Sequence, residues 1–583
     1  MSLLRRSAVF CILLLISASA GALEREAFTF TSYKFQVYLD PPKWLLRGSG
    51  KIVLRNDSAV AQRALALQIS SSLEWQSITL AGKPVQYLTQ LYTSDIDHTG
   101  SLSDAVVTLP REVPPKGTVE LEVAYSGSIL QDATRLERVG TPKEIAIANE
   151  WDRISENFTA VRGAGYVAWY PVSMEAASLS SGQEFSATLE RWKQRHAAST
   201  MSVQFWAPTK LEIYANGNAE PIRRAAATEG PSLLLAAYSW APFGLDVPVF
   251  AVGNYQRIEA PTRVRFLVDH QDLANRYAQS AAQVRWFAAA SSRQFQIVEL
   301  ADANAVAFSS GPVLFTPLQN LPAKELEASL AYARSHADVP SPRLWIYEGI
   351  AVAAQAFQRE KQEGRGAAIA FMESRRRMLI EIEKSNLKPA ANPTAEKAES
   401  PSNAATSLVA ASDELLARSK GMYVWWMLRD MLGERVLQNA FMKYRRTDDK
   451  EPTYMQRLIE AEARTAAPQA VANLEQFLDD WVYRDRGLPD FRIVSVYARE
   501  MLGSGFLLTV TVENHGGAGA EVPVIARARD ETASRRLWVP ALQKATVRIP
   551  LRSQPLEAQV NDGSVPETDV TNNTFEVRLE SSP

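Results

Sequence analysis

Pro342-Arg-Leu-Trp-Ile-Tyr-Glu-Gly-Ile-Ala-Val-Ala353 is the stretch on which the reading of this chain turns. It reads as the opening of a helical region over 345–385, with the carboxylate of Glu348 near its start, where the helix dipole favours negative charge. A second helix is expected just ahead of it, over 323–336. It includes Glu325-Leu-Glu-Ala-Ser-Leu-Ala-Tyr-Ala-Arg-Ser-His336. Leu326, Leu330 and Ala333 fall on one face of that helix, the pattern of a packed element.

Working outward, the chain has 583 residues, enough for three or four domains of roughly 100–200 residues each. Its apolar fraction of 46% and charged fraction of 22% are those of a soluble globular protein. A net charge of −2 supplies no basic field for nucleic acid or an anionic membrane surface. Residues 1–22 read as a signal peptide: Arg5 and Arg6, an apolar run from Val9 to Ile16, then Ala18-Ser-Ala20 or Ala20-Gly-Ala22 as the cleavage site. Export to a periplasmic or extracellular location is therefore expected. No later stretch is long and apolar enough to span a bilayer. The single cysteine, Cys11, lies inside the signal, so zinc held by cysteine is excluded once the signal is removed.

Three further regions follow. Residues 23–260 read as a β domain: Tyr33, Phe35, Val37 and Leu39 alternate with Lys34, Gln36 and Tyr38, the mark of a half-buried strand. Strands are expected throughout 27–258, with Arg263-Val-Arg-Phe-Leu-Val as the last of them. Residues 261–487 read as mostly helical, with helices over 273–293, 323–336, 345–385, 412–432 and 433–446, and more between 452 and 483. A polar insertion over 387–406 interrupts them. Residues 488–583 return to β, with about seven short strands expected.

Several segments carry a family resemblance in the right order. Trp345-x-x-Glu348-Gly349-x-Ala351 resembles the third-ligand helix of the M1 aminopeptidase family of zinc metallopeptidases. Tyr33 to Ser58 resembles the family's opening strands, and Gly165-Tyr-Val-Ala-Trp-Tyr-Pro171 its aromatic-Pro element. Pro208 to Gly217 resembles the hairpin that follows. Lys420-Gly421, with Trp425 and Leu428, resembles its later Lys-Gly helix, and Phe477-Leu-Asp-Asp-Trp481 the exit to the last domain. The resemblance implies a multidomain α+β chain: an N-terminal β-sandwich or saddle, a central mostly helical thermolysin-like domain and a C-terminal Ig-like β-sandwich. It also implies an ancestral zinc site with a His-Glu-x-x-His helix ahead of Glu348.

That zinc chemistry is missing from the residues. Two histidines four apart share a helix face and can reach one ion. The chain has 5 histidines, His98, His196, His270, His336 and His515, and no His-x-x-x-His pair. Three registers are available for the two ligand slots. The family's usual spacing puts them on Glu325 and Ser329. A shortened connection puts them on Ala328 and Tyr332, and the shortest on Tyr332 and His336, with Ala333 in the general-base slot. None supplies two histidines. The amine-binding strand expected before the helix reads Phe308-Ser-Ser-Gly-Pro-Val-Leu-Phe-Thr-Pro317, without a carboxylate, and Arg418 stands where the resemblance implies a tyrosine.

The sequence therefore reads as an exported metallopeptidase-like protein without peptidase activity, a pseudoenzyme that binds an extended peptide or a protein partner between its β and helical domains. No catalytic residue, metal or cofactor is assigned, zinc belonging only to the ancestral family. Glu348 marks a relic ligand position or a structural helix residue. The candidate groove comprises Tyr332, Trp345, Glu348, Arg418 and Lys420. Tyr332 either bonds Glu348 in the vacated cavity or packs plainly; Arg418 pairs with Glu348, meets a peptide carboxylate or is solvated; Trp345 reads as core. His336 is placed just past its helix, as a C-terminal charge or loop residue. The rival readings are an active zinc-dependent hydrolase with a rebuilt site and a structural envelope protein.

Overall fold

A computed structural model describes residues 23–225, 233–284, 286, 294–386, 407–411, 413–501 and 504–577. The signal segment 1–22 and the insertion 387–406 lie outside the described residues. The chain is multidomain α+β, with β structure at both ends and a helical body between.

The N-terminal part is built on Phe28–Asp40. Tyr33, Phe35, Val37 and Leu39 are buried on one face while Lys34 and Gln36 point outward, as the period-two pattern requires. This strand pairs antiparallel with Leu45–Asn56 and parallel with Thr200–Pro208, inside a nine-stranded sheet. A three-stranded sheet of Gln62–Ser70, Ser101–Val113 and Gln86–Thr93 and a four-stranded sheet containing Thr159–Val161 and Phe250–Gly253 complete it. Residues 27–258 are not strands throughout. Gly182–His196 is a helix, and Thr134–Arg138 and Lys143–Asn149 are short ones. In the long helix Leu189, Trp192 and His196 are buried along one face at helical spacing. His196 accepts the Phe30 N–H at 3.2 Å, and burial pushes its pKa down to about 3, which keeps it a neutral acceptor.

Arg263–Phe266 is not a last strand. It belongs to a five-stranded sheet in the order Gln256–Ile258, Arg263–Phe266, Gln296–Glu299, Val313–Thr316, Phe308–Ser310. The three middle strands run parallel. Parallel strands covered on both faces carry apolar runs without alternation, as the wholly buried Val313–Thr316 does, so the period-two signal that marks exposed sheets is lacking here. Phe308–Ser310 is one of its two edge strands.

The helical body includes Ala323–Asp338, Leu344–Glu363, Arg365–Asn386 and Glu414–Leu432. The single helical region expected over 345–385 is two helices, parted at Gly364 with φ of 88°. That left-handed backbone suits glycine and ends a helix. Asp413 caps the last of the four by accepting the N–H groups of Leu415 and Leu416 at 2.8 and 3.3 Å. The Leu344–Glu363 and Glu414–Leu432 helices cross at two glycines. A Cβ on Gly421 would lie 2.9 Å from the Trp345 carbonyl and 3.0 Å from the Gly349 Cα. Beside this contact Trp345 and Trp425 stack at 5.0 Å, and Trp425 Nε1 donates to the Trp345 carbonyl at 3.2 Å.

Among the described residues the C-terminal sandwich has seven strands in two sheets, one of three and one of four. It is tied to the helical body by ion pairs. Arg365 reaches Asp430 and Asp562, each at 2.7 Å, and Arg536 reaches Asp430 at 3.2 Å.

Candidate functional site

A cavity of about 400 Å3 lies between the N-terminal β region and the helical body. Four helices and one strand are among the elements that frame it. Gly182–His196 brings Glu190 and Lys193, Ala323–Asp338 brings Tyr332 and His336, Leu344–Glu363 brings Tyr347 and Glu348, and Glu414–Leu432 brings Glu414 and Arg418. The edge strand Phe308–Ser310 closes one wall.

Glu348 is the hub. Its Oε2 accepts the Tyr332 hydroxyl at 2.7 Å and Arg418 Nε at 2.8 Å. Arg418 Nη2 donates to the Tyr332 oxygen at 2.8 Å and also pairs with Glu414, one turn earlier. His336 Nε2 stands 3.5 Å from Glu348 Oε1, while its Nδ1 lies 3.2 Å from Ser309 Oγ. The imidazole stacks on Tyr347 with centroids 4.1 Å apart, and Tyr347 donates to Asp246 at 2.7 Å. Burial alone would raise the Glu348 carboxyl, but the Arg418 guanidinium, with His336 and Tyr332, outweighs it and holds the pKa at about 2. His336 is pushed below its ordinary value by burial, against the pull of Glu348, and Tyr332 is pushed up by burial and by Glu348.

Of the candidate residues, Tyr332, Glu348 and Arg418 meet in one network. Trp345 and Lys420 do not line the cavity. Trp345 sits one turn back on its helix, on the face packed against Trp425. Lys420 is buried and pairs with Asp485 at 2.6 Å, because it points to the opposite side of its helix from Arg418. His336 is not past its helix: it lies in the last turn with 2% exposure, turned toward Glu348 because it stands four residues, about one turn, after Tyr332. Of the three registers, Tyr332 with His336 is the one whose two side chains both face Glu348. Glu325 is exposed in the first turn of that helix.

Glu190 and Lys193 escape the sequence reading, because they sit on a helix inside the region that reads as strands. Lys193 Nζ donates to Glu190 Oε1 at 2.5 Å. A signal for them exists: Phe185, Leu189 and Trp192 recur at helical spacing around the pair.

These residues do not fit a zinc ion. A catalytic zinc asks for about three N, S or carboxylate ligands around an open position. Here the Glu348 network offers one imidazole, a neutral phenol and the carboxylates of Glu348 and Glu414, both of which already pair with the Arg418 guanidinium. Among the described residues there is no cluster of three or more His, Cys, Asp or Glu able to hold a metal.

The chain is similar to solved structures of an M1 zinc metallopeptidase. Two crystal structures of this enzyme from Deinococcus radiodurans match it, each at 14% identity. The first, of a mutant bound to a Tyr-Ser-Ala substrate, covers 80% of this chain and 96% of its own, with a TM-score of 0.46. The second covers 78% and 95%, with a TM-score of 0.45. No family model and no curated protein matches the chain.

Proposed function

We propose that this protein is exported and binds an extended peptide, or an extended segment of a partner protein, in the cavity around Glu348, without hydrolysing it at a zinc ion. The observation that carries the reading is the Arg418 guanidinium seated on the Glu348 carboxylate, with the Tyr332 hydroxyl bonded to both. A buried carboxylate compensated by an internal cation has no charge left to recruit a metal, and expelling Arg418 would strand its charge. In the register that puts Tyr332 and His336 in the ligand slots, Ala333 stands in the general-base slot. Binding is supported by the cavity itself and by its wall. An edge strand such as Phe308–Ser310 presents backbone groups to which an extended chain can add.

Metal analysis of the purified protein, with a peptide-library assay, tests this. The expected result is no stoichiometric zinc, no cleavage with or without added zinc, and saturable binding of some library members. Stoichiometric zinc that disappears in Glu348→Ala, together with zinc-dependent cleavage, would restore the active-hydrolase reading. The export part is checked separately. The N-terminus of protein recovered from the secretory side is expected just after residue 20 or 22, and an intact Met1 on cytoplasmic protein contradicts it.

A further inference from the structure

Gln86-Tyr-Leu-Thr-Gln-Leu-Tyr-Thr93 forms one edge of the three-stranded sheet in the N-terminal part. It pairs with Ser101–Val113 on one side in an unbroken register, and on the other side its backbone has no partner among the described residues. A free strand edge is a template for another strand, and proteins guard it with charge, proline, a bulge or shortness. This strand has 8 residues, no charged side chain, no proline and no bulge. Every other edge strand among the described residues is at most three residues long or carries a charged side chain, such as Arg63, Glu212, Arg492, Arg535 or Lys544. Leu88 and Leu91 are 67% and 71% exposed. Three residues apart in a strand, they stand on opposite faces of the sheet. A helix laid on one face would cover only one of them, whereas a strand added at the edge flanks both.

We propose that this edge pairs antiparallel with the same edge of a second copy of the chain, joining two three-stranded sheets into one. The occupant follows from charge and closure. Self-pairing sets a strand against its own side chains, so any charge in it would meet its like. Gln86–Thr93 holds none, and Asp104, which accepts the Gln90 amide at 2.9 Å, is compensated by Arg25 at 3.0 Å. A two-fold axis at Gln90 sets Leu88 of each copy across from Tyr92 of the other on one face, and Thr89 across from Leu91 on the other face. The opposite edge of the sheet is closed within the chain. There Gln68 exchanges backbone hydrogen bonds with Val172 at 2.8 and 2.9 Å, and the Ser70 N–H donates to the Ala168 carbonyl at 2.8 Å. Association by this route therefore stops at two copies. The contact is one pair of strands, small beside the roughly 1,200–2,000 Å2 of a stable interface, so the dimer dissociates on dilution. It uses no residue of the Glu348 cavity and stands or falls separately from the peptide-binding reading.

Sedimentation equilibrium of the purified protein, over a dilution series reaching about 100 μM, tests this. The expected result is a reversible monomer–dimer equilibrium. Leu88→Lys and Gln90→Lys each place a charge on the edge of both copies. Each is expected to weaken the dimer about tenfold or more, since two-fold symmetry counts every substitution twice. Leu542→Lys, at a leucine 75% exposed in the C-terminal sandwich, is expected to leave it unchanged. A second measurement needs no lysine variant. With Cys11→Ser removing the only native thiol, Gln90→Cys is expected to cross-link to a dimer with a short bis-maleimide, and Leu542→Cys is not. A monomer at every concentration overturns the proposal, and so does a dimer that both lysine variants leave intact. Cross-linking no greater for Gln90→Cys than for Leu542→Cys overturns it too, as do assemblies that grow beyond two copies.

Discussion

Valine at Gly421 is expected to lower the free energy of unfolding by about 3 kcal/mol or more, the upper end of overpacking costs. The atoms that a side chain would strike are the Trp345 carbonyl at 2.9 Å and the Gly349 Cα at 3.0 Å. Both are backbone within a helix, so neither can swing aside. The helices must separate, and the Trp345–Trp425 stack and the Trp425-to-Trp345 hydrogen bond go with that movement. Gly349 adjoins Glu348, and Gly421 lies about one turn beyond Arg418. The close approach therefore also sets the separation of the two charges at the cavity. Urea unfolding checks the prediction, with Gly366→Ala as the comparison. A Cβ on Gly366 would meet no atom within 4 Å, and the backbone there is not left-handed, so alanine should be neutral or slightly stabilising. Equal effects at the two positions would show that the crossing tolerates side chains.

Arg418→Ala is expected to cost about 2 kcal/mol at neutral pH. Removing one partner of a buried ion pair typically costs about 3–5 kcal/mol. The figure is reduced here because the Arg418 side chain is 34% exposed and water screens part of its charge. Glu348, with 6% exposure, would keep the Tyr332 hydroxyl but lose its main counter-charge, so burial would drive its carboxyl upward. The pH dependence carries the signature. In the native protein the depressed Glu348 contributes stability that is present above the unfolded carboxylate value of roughly 4.3 and is lost as pH falls toward about 2. In the variant that contribution is absent at neutral pH, and protonation at a raised pKa relieves the stranded charge. The gap between the two proteins should therefore be widest near pH 7 and shrink on acidification. A gap that does not change with pH would mean that Arg418 acts by packing alone.

The part of the site that is legible in the sequence is the part that local spacing controls. Tyr332 and Glu348 come from adjoining helices, and Arg418 from a third, at places that a motif comparison can locate. Spacing allows their meeting as one arrangement among several, and the hydrogen bonds at 2.7 and 2.8 Å decide it. Lys420 shows the limit. It lies two residues from Arg418 in sequence, yet the helix turns it toward Asp485, because successive residues point about 100° apart. The order of strands, helices and strands is readable from periodicity. The parallel strands Gln296–Glu299 and Val313–Thr316 are not, because strands covered on both faces show no alternation.

By itself, the sequence determined that no pair of histidines can share one turn of helix, since a census of five scattered histidines does not depend on how the chain folds. Tertiary structure alone decided what stands there instead: a guanidinium on the carboxylate, His336 turned inward, and Glu190 and Lys193 carried in on a helix from the N-terminal region. The physical reason is range. Composition and spacing act within a few turns of chain, whereas the cavity's charge balance is set by residues from helices far apart in sequence, whose distances and burial exist only once those helices pack.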